Sequence, residues 1–220
     1  RTLAITNTNG TLLAGQSLVV AANSIGGDSN ILSKGNLNLS LNTDFANSGQ
    51  VIANGNTTII TTSGNVSNSG KLQAGNTLNL TANNIDNAVT GEISGSTTQV
   101  NANGILTNRG LIDGVDTQVN ANVANNIGTG RIYGDHLSIA AVNLTNDTET
   151  IADVTKAGTI AARDRLDLGI SGTLTNREHA LIYSVGDMAI GGALDANRRA
   201  TGSTATLNNN SATIEAGRNL

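Results

Sequence analysis

A motif of about 20 residues recurs along the whole chain, and this repeat constrains the fold more than any other feature. The stretch TLLAGQSLVVAANSIGGDSN, which starts at Thr11, matches KLQAGNTLNLTANNIDNAVTG, which starts at Lys71, in its leucines, its Ala-Gly pair and its isoleucine. Further repeats start at Ile31, Gln50, Glu92, Leu111, Arg131, Thr159, Leu181 and Ala212. A fixed period of this length indicates a solenoid, in which each repeat contacts only its neighbours.

Within each repeat, apolar and polar residues alternate in short runs, as in 37–41 and 78–80. This period of two predicts strands with one buried face. A single repeat buries too little apolar surface to be stable, but strands stacked in parallel share a continuous core. The sequence therefore predicts an all-β fold, a right-handed parallel β-helix, because parallel crossover connections strongly prefer that hand. About ten coils at roughly 4.8 Å each give a rod of some 45 to 50 Å.

A turn of the form apolar, any, Asn is the second recurring element. Asparagine tolerates left-handed backbone angles, and its amide both donates and accepts hydrogen bonds. Stacked at one corner of successive coils, such amides are expected to form a ladder along the axis. The predicted ladder residues are Asn47, Asn68, Asn87, Asn108, Asn125, Asn146 and Asn176. Gly27 stands where the repeat that starts at Thr11 would carry its asparagine, so that corner is expected to be looser.

The composition excludes several classes of function. The chain has no Pro and no Cys; internal strands leave few sites for proline, and without cysteine there is no disulfide, thiolate metal site or cysteine nucleophile. A formal net charge of -4 argues against a nucleic-acid partner, which requires clustered Lys and Arg. No apolar run approaches the roughly 20 residues that span a bilayer. No cofactor is expected.

Interruptions of the repeat divide the single domain, 1–220, into regular coils over 1–130 and coils with inserted loops over 131–220. The insertions, 147–156 and 195–203, are expected to bulge from the rod. Loops carry function more often than the scaffold that supports them. The candidate binding residues are therefore Arg198 and Arg199, as contacts for an anionic partner, together with Asp147 and Lys156. Both chain ends fall within a repeat, so we expect a fragment of a longer array.

Three carboxylates are weak candidates for a cation site. Asp116, Asp135 and Asp164 occupy similar places in successive repeats, where calcium would find oxygen ligands. Asp is also an ordinary turn former at a solvated corner, and we therefore predict no metal site. With only His136 and His179 in the chain, a Ser-His-Asp trio has no specific support, and we predict that the protein is not an enzyme.

Three segments, KLQAGNTLNLTANNIDNAVTG, EISGSTTQVNANGILTNRG and TIAARDRLDLGISGTLTNREHALIYSVGDMAIGGALD, resemble the filamentous haemagglutinin repeats of bacterial two-partner secretion exoproteins. The resemblance covers the whole chain, because leucine-alternating strands, the AGN or ANG turn and the LTN turn recur together and in order. That superfamily includes surface adhesins and contact-dependent growth inhibition exoproteins, which carry a toxin at their far end. The resemblance implies a right-handed β-helical filament, exported through the outer membrane by a partner transporter and displayed on the bacterial surface.

The resemblance favours a structural shaft: a secreted, monomeric filament that projects an adhesive or toxic end toward another cell. Its partners would be the outer-membrane transporter during export and a receptor or glycan on the target cell. One alternative is a receptor- or glycan-binding module that acts through the loops of 131–211. A more distant alternative is a polysaccharide lyase, because lyases with this architecture use a carboxylate and metal cluster.

Overall fold

The computed structural model describes residues 2–220 and is a right-handed parallel β-solenoid of about nine turns, which confirms the predicted fold class. No helix forms within these residues, and so none that could cross a membrane. The strands are Ala4–Thr6, Thr11–Ala14, Leu18–Ala22, Ser24–Gly26, Asn30–Ser33, Leu37–Leu41, Phe45–Asn47, Gln50–Ala53, Thr57–Thr61, Val66–Asn68, Lys71–Ala74, Thr77–Ala82, Ile85–Asn87, Glu92–Ser94, Thr97–Asn108, Leu111–Asp113, Asp116–Ile127, Arg131–Ile151, Val154–Ala157, Thr159–Ile170, Thr173–Arg177, Leu181–Ser184, Asp187–Gly191, Ala193–Leu194, Ala200–Thr201, Thr206–Asn210 and Thr213–Ala216.

Each turn contributes three strand segments that stack in parallel into three faces. Face 1 is the stack that contains Lys71–Ala74, face 2 the stack that contains Thr77–Ala82, and face 3 the stack that contains Ile85–Asn87. Face 1 runs without a break from Thr11–Ala14 to Thr213–Ala216. Its strands begin within one residue of the predicted repeat starts, since a leucine, isoleucine or valine in each repeat occupies the same inward position.

Inward side chains of successive coils form one continuous core. On face 2, a single inward column consists of Val20, Leu39, Ile59, Leu80, Val100, Val119, Ile139 and Leu168. All of these side chains are buried. Burial of each aliphatic side chain contributes roughly 1.5–3 kcal/mol, which explains why the stack is stable although one coil is not.

The parallel stack of face 3 is interrupted at Gly27, where a looser corner was predicted. The face 3 strand Ser24–Gly26 pairs with Ala4–Thr6 but not with Phe45–Asn47, so the ladder of face 3 is interrupted there. Gly27 has a φ of 113°, and a Cβ atom at this position would overlap the carbonyl oxygen of Asn7. The close approach of two coils, and not only the missing asparagine, therefore explains why glycine occupies this corner.

Two antiparallel hairpins interrupt the parallel stack after residue 130. In the first, 148–157, Thr148 pairs with Ala157 and Ile151 with Val154. The second lies within 193–204, which we call the strap, where Ala193–Leu194 pairs with Ala200–Thr201. They coincide with the predicted insertions, but both fold back against the rod, as the side-chain contacts below show.

Candidate functional site: corner ladder, docked loops and axial groove

An asparagine ladder runs along the corner that follows face 3. Each side-chain amide donates a hydrogen bond of 2.7–2.9 Å to the amide oxygen of the asparagine in the next coil. The amide nitrogens also donate to backbone carbonyls one coil further on, as Asn87 does to Leu111 at 3.2 Å. The ladder consists of Asn47, Asn68, Asn87, Asn108, Asn126, Asn146, Asn176 and Asn209. Most of the buried polar groups of this corner are thereby satisfied within the rod.

Asn125 was predicted as a ladder member, and this prediction is wrong. The ladder passes through its neighbour Asn126, which is fully buried, whereas Asn125 is half-buried. Ala124, and not Val123, occupies the inward position, because Ala124 aligns with Leu106. The turn motif therefore begins one residue later, with alanine as its apolar member.

The predicted carboxylate column does not assemble. Asp116 aligns with His136, but a bulge between Gly134 and His136 shifts the register, and Asp164 falls in the bulged segment of the next coil. Each of the three candidate carboxylates lies beside an arginine: Asp116 beside Arg198, Asp135 beside Arg163, and Asp164 beside Arg218. Within residues 2–220, no three acidic or histidine side chains come together to hold a metal ion. The carboxylate cluster on which the lyase alternative depended is therefore not formed.

Arg198 anchors the strap to a distant coil. Its two terminal nitrogens lie 2.6 Å from the two carboxylate oxygens of Asp116, which is 82 residues earlier in the chain. Such a bidentate pair is short, directional and stronger than a neutral hydrogen bond. The structure thus places the Arg198 guanidinium on a carboxylate of its own rod, and contact with an anionic partner stays a prediction.

Asp167 is the second anchor of the strap. Its side chain is completely buried on the outer side of face 2, where it accepts hydrogen bonds from Arg165 at 2.7 and 3.0 Å and from the Ala200 amide at 3.0 Å. His136 and Arg199 also approach it, at 3.3 and 3.5 Å. Arg199, which was predicted beside Arg198 as an anion contact, is thus directed toward this buried carboxylate. A buried carboxylate requires such partners, since an unpaired charge there is strongly unfavourable.

The first hairpin is fixed in the same way. Glu149 accepts hydrogen bonds from Nε of Arg109 at 2.8 and 2.9 Å, and Arg109 also lies 3.2 Å from Asp86. The hydrogen bond with Glu149 raises the pKa of the Arg109 guanidinium above its ordinary value, although partial burial opposes it. Asp147 is 7% exposed and lies 2.6 Å from Arg177. Asp147, a predicted binding residue, therefore stabilises the base of the hairpin.

The tip of this hairpin remains exposed. Ile151 and Val154 are 51% and 54% exposed, and Ala152 and Asp153 between them have φ angles of 49° and 64°. Lys156, the remaining predicted binding residue, is also exposed and lies opposite Glu149 across the hairpin. Of the four predicted loop residues, Lys156 alone takes part in no ion pair within residues 2–220.

A groove of about 800 Å³ runs along the edge between face 1 and face 2, over the coils from Gln50 to Thr159. Small side chains form its floor, and polar groups line it. Beside the groove, Glu92 accepts hydrogen bonds from two of its lining residues, Gln73 at 2.6 Å and Ser94 at 3.0 Å, and Lys71 lies 3.2 Å away. Burial raises the pKa of Glu92, but the hydrogen bonds with Lys71, Ser94 and Gln73 together outweigh it and hold the pKa below its ordinary value.

Arg163 closes one end of the groove. Its guanidinium lies 3.0 Å from Asp113 and 3.2 Å from Asp135, and the hydrogen bond with Asp113 raises its pKa. This groove was not predicted from the sequence. The sequence feature that corresponds to the groove is the recurrence of alanine and glycine at the ends of the face 1 strands, as at Ala53, Ala74 and Gly114.

Comparisons with protein-family models, with curated proteins and with solved structures found no match. The architecture therefore rests on the structure itself, and the resemblance to filamentous haemagglutinin repeats rests on the sequence motifs.

Proposed function

We propose that the chain is a shaft segment of a secreted bacterial cell-surface exoprotein of the filamentous haemagglutinin type. In this role it projects an adhesive or toxin-delivery end toward a target cell, in adhesion or contact-dependent growth inhibition. The observation that carries the proposal is the continuity of the rod: face 1 is unbroken from Thr11 to Ala216, and the corner ladder extends from Asn47 to Asn209. Coils that bind both neighbours in this way hold a fixed separation between the two ends of the array.

The docking of the inserted loops supports a shaft more than a binding module. Arg198, Asp147 and Glu149 all form ion pairs within the rod, so their charges are not displayed to a partner. One feature favours the alternative of receptor binding: the hairpin tip presents Ile151 and Val154 on a turn whose central residues have positive φ. Non-glycine residues in this conformation carry a cost of order 1–3 kcal/mol and concentrate at functional sites.

The topology also suits export through an outer-membrane transporter, the partner that we propose. Each regular coil pairs only with the coils before and after it, so a chain that emerges unfolded can add one coil at a time. The strap and the first hairpin then close back onto coils that have already formed.

Surface localisation is tested with antibody raised against the purified chain. We expect immunogold labelling of intact producing cells outside the outer membrane, and loss of this labelling when the partner transporter is deleted. Labelling that requires permeabilised cells, or that persists without the transporter, would contradict the proposal.

The shaft and the binding module are separated by loop replacement in the full exoprotein. Residues 148–157 are replaced by a two-residue turn in one variant and 193–204 in a second, and Lys34→Ala, which removes an exposed lysine outside both loops, serves as a mild control. A shaft predicts unchanged attachment to target cells once attachment is normalised to surface level. Loss of attachment at an unchanged surface level would instead support receptor binding through the loops.

A further inference from the structure

We propose that the outer surface of face 1, between Ile52 and Tyr183, binds a linear, uncharged oligosaccharide that lies parallel to the rod axis. The proposal does not depend on the shaft role or on the inserted loops. Two observations carry it: the groove of about 800 Å³, and a pair of tyrosines that continues the same row of side chains beyond the end of the groove.

That row is formed by the third residue of each face 1 strand, which points outward and stacks on its equivalent one coil away. In the groove, the row consists of Ile52, Gln73, Ser94 and Asp113, which align in successive coils. Arg163 pairs with the Asp113 carboxylate, so a ligand that reaches the tyrosines passes over this neutralised pair. Beyond the groove, Tyr133 aligns with Ala161, and Ala161 with Tyr183. The seven coils from Ile52 to Tyr183 extend over roughly 30 Å, long enough for several sugar units.

The tyrosines supply surfaces for stacking. Tyr133 and Tyr183 are both half-buried, and their backbones are two coils, or about 10 Å, apart. The methyl side chain of Ala161 leaves the space between them open. A tyrosine offers an apolar ring and a hydroxyl group, a combination that suits a sugar ring with its C–H and O–H groups.

The charges of the groove favour an uncharged ligand. Asp113 and Asp135 both pair with Arg163, and Glu92 pairs with Lys71. A polyanion or polycation would have to compete with these internal pairs. Gln73 Nε2 and the Ser94 hydroxyl already donate to Glu92, so the polar groups that remain for a neutral ligand include the Gln73 amide oxygen, as an acceptor, and backbone beside the small residues of the floor.

An extended peptide is a poorer occupant. Peptides that add to a sheet require a free strand edge, but the face 1 strands from Gln50–Ala53 to Thr159–Ile170 are paired on both sides. A saccharide needs no such edge, and the axial repeat of roughly 4.8 Å is close to the length of one pyranose unit in an extended chain. The volume of the groove also falls within the range of roughly 300–1,000 Å³ found for ligand sites.

The test is affinity electrophoresis of the purified chain in gels that contain hydroxyethylcellulose, glucomannan, dextran or, as charged probes, polygalacturonate and heparin. Isothermal titration calorimetry with cellohexaose and chitohexaose then gives dissociation constants. We expect retardation by at least one neutral polymer. Tyr133→Ala and Tyr183→Ala each weaken binding at least tenfold, and Ala161→Trp, which fills the gap between the rings, does the same.

Ile60→Ala, on the outer side of face 2, is the matched control and leaves binding unchanged. The melting temperature of every variant is measured beside it, and Gln73→Leu replaces any tyrosine variant that fails to fold. The proposal is overturned if no neutral probe retards the chain, if only the charged probes do, or if the folded face 1 variants bind as tightly as the control.

Discussion

Residues 2–130 and 131–220 share one architecture but differ in the interactions between side chains. Within 2–130 the structure holds two ion pairs, Lys71–Glu92 and Arg109–Asp86, and every other ion pair has at least one member beyond residue 130. Of the 28 charged residues, 18 lie after residue 130. The asparagine ladder crosses the boundary unchanged through Asn126 and Asn146.

The difference shows which parts of a solenoid need charge. A regular coil finds partners for its backbone and corner amide in the next coil, so neutral groups suffice. An inserted loop has no equivalent in the next coil and must be fixed by contacts of its own. Here the loop residues pair with opposite charges on earlier coils: Arg198 of the strap with Asp116, and Glu149 of the first hairpin with Arg109. Charge is therefore concentrated where the repeat is interrupted.

The largest expected loss of stability comes from a substitution in the asparagine ladder, which both regions share. Asn126→Ala removes a donor to Asn146, Gly130 and Thr159 and an acceptor for Asn108, and leaves buried partners unpaired. We expect the free energy of unfolding to fall by about 3–4 kcal/mol, measured by urea denaturation. Asn125→Ala, one residue away and half-buried, is the control and should cost less than about 1 kcal/mol. Equal losses would show that the ladder does not pass through Asn126.

The second-largest expected loss of stability comes from a substitution in 131–220, at an ion-pair network that 2–130 does not have. Asp167→Ala removes the buried carboxylate that accepts hydrogen bonds from Arg165 and the Ala200 amide. Because both partners would lose their acceptor, we expect a loss of about 2–3 kcal/mol in the free energy of unfolding. The exposed Glu215→Ala provides the comparison and should be nearly neutral. Similar stability of the two variants would mean that the strap is not anchored by Asp167.

A smaller difference in stability is expected between substitutions of two buried threonines. The hydroxyl of Thr98 donates to the Asp113 carbonyl at 2.7 Å, whereas the buried hydroxyl of Thr117 has no partner among residues 2–220. Thr98→Val should therefore cost about 1 kcal/mol, and Thr117→Val should be neutral or stabilising. Thermal unfolding of the two variants measures the difference. A destabilised Thr117→Val variant would reveal a partner that the structure lacks.

The smallest expected difference in stability is the contribution of Glu92 to the pH dependence of unfolding. Since its pKa in the folded chain lies below the ordinary value, its contribution to stability is present above the unfolded pKa and is lost as the pH falls through the folded pKa. Glu92→Gln should therefore lose less stability than the unmodified chain between about pH 6 and pH 3. The difference should be a few tenths of a kcal/mol, because Lys71 is half-exposed and solvent screens the pair. An identical acid-side slope would contradict this role of Glu92.

The fold could be predicted from the sequence because it depends on local, repeated choices. Inward leucines such as Leu39 and Leu80 determine which face of each strand is buried. Because these leucines recur about every 20 residues, the strands of successive repeats stack on one another. The error at Asn125 has the same origin: Val123 is the more hydrophobic candidate, but the backbone register places the smaller Ala124 inward. A single-residue ambiguity of this kind cannot be resolved by hydrophobicity alone.

The contacts of the loops could not be predicted. Arg198 and Asp116 are 82 residues apart, and their pairing depends on how the strap folds back, which no repeat encodes. A column of Asp116, Asp135 and Asp164 was predicted from equal spacing in successive repeats. The bulge after Gly134 shifts the register of the strands and so separates these side chains. The groove was missed because its lining is shared by residues of several coils, none of which is distinctive by itself.

Hydrogen exchange of the purified chain, followed by mass spectrometry, tests most directly the claim that the inserted loops are docked parts of the rod. We expect the Ala200 amide, which donates to the buried Asp167, to be protected in the unmodified chain, and peptides that cover 193–204 to exchange at least tenfold faster in Arg198→Ala. The ladder peptides around Asn87 should not change. Rapid exchange of 193–204 in the unmodified chain would show that the strap extends freely from the rod and would contradict this account.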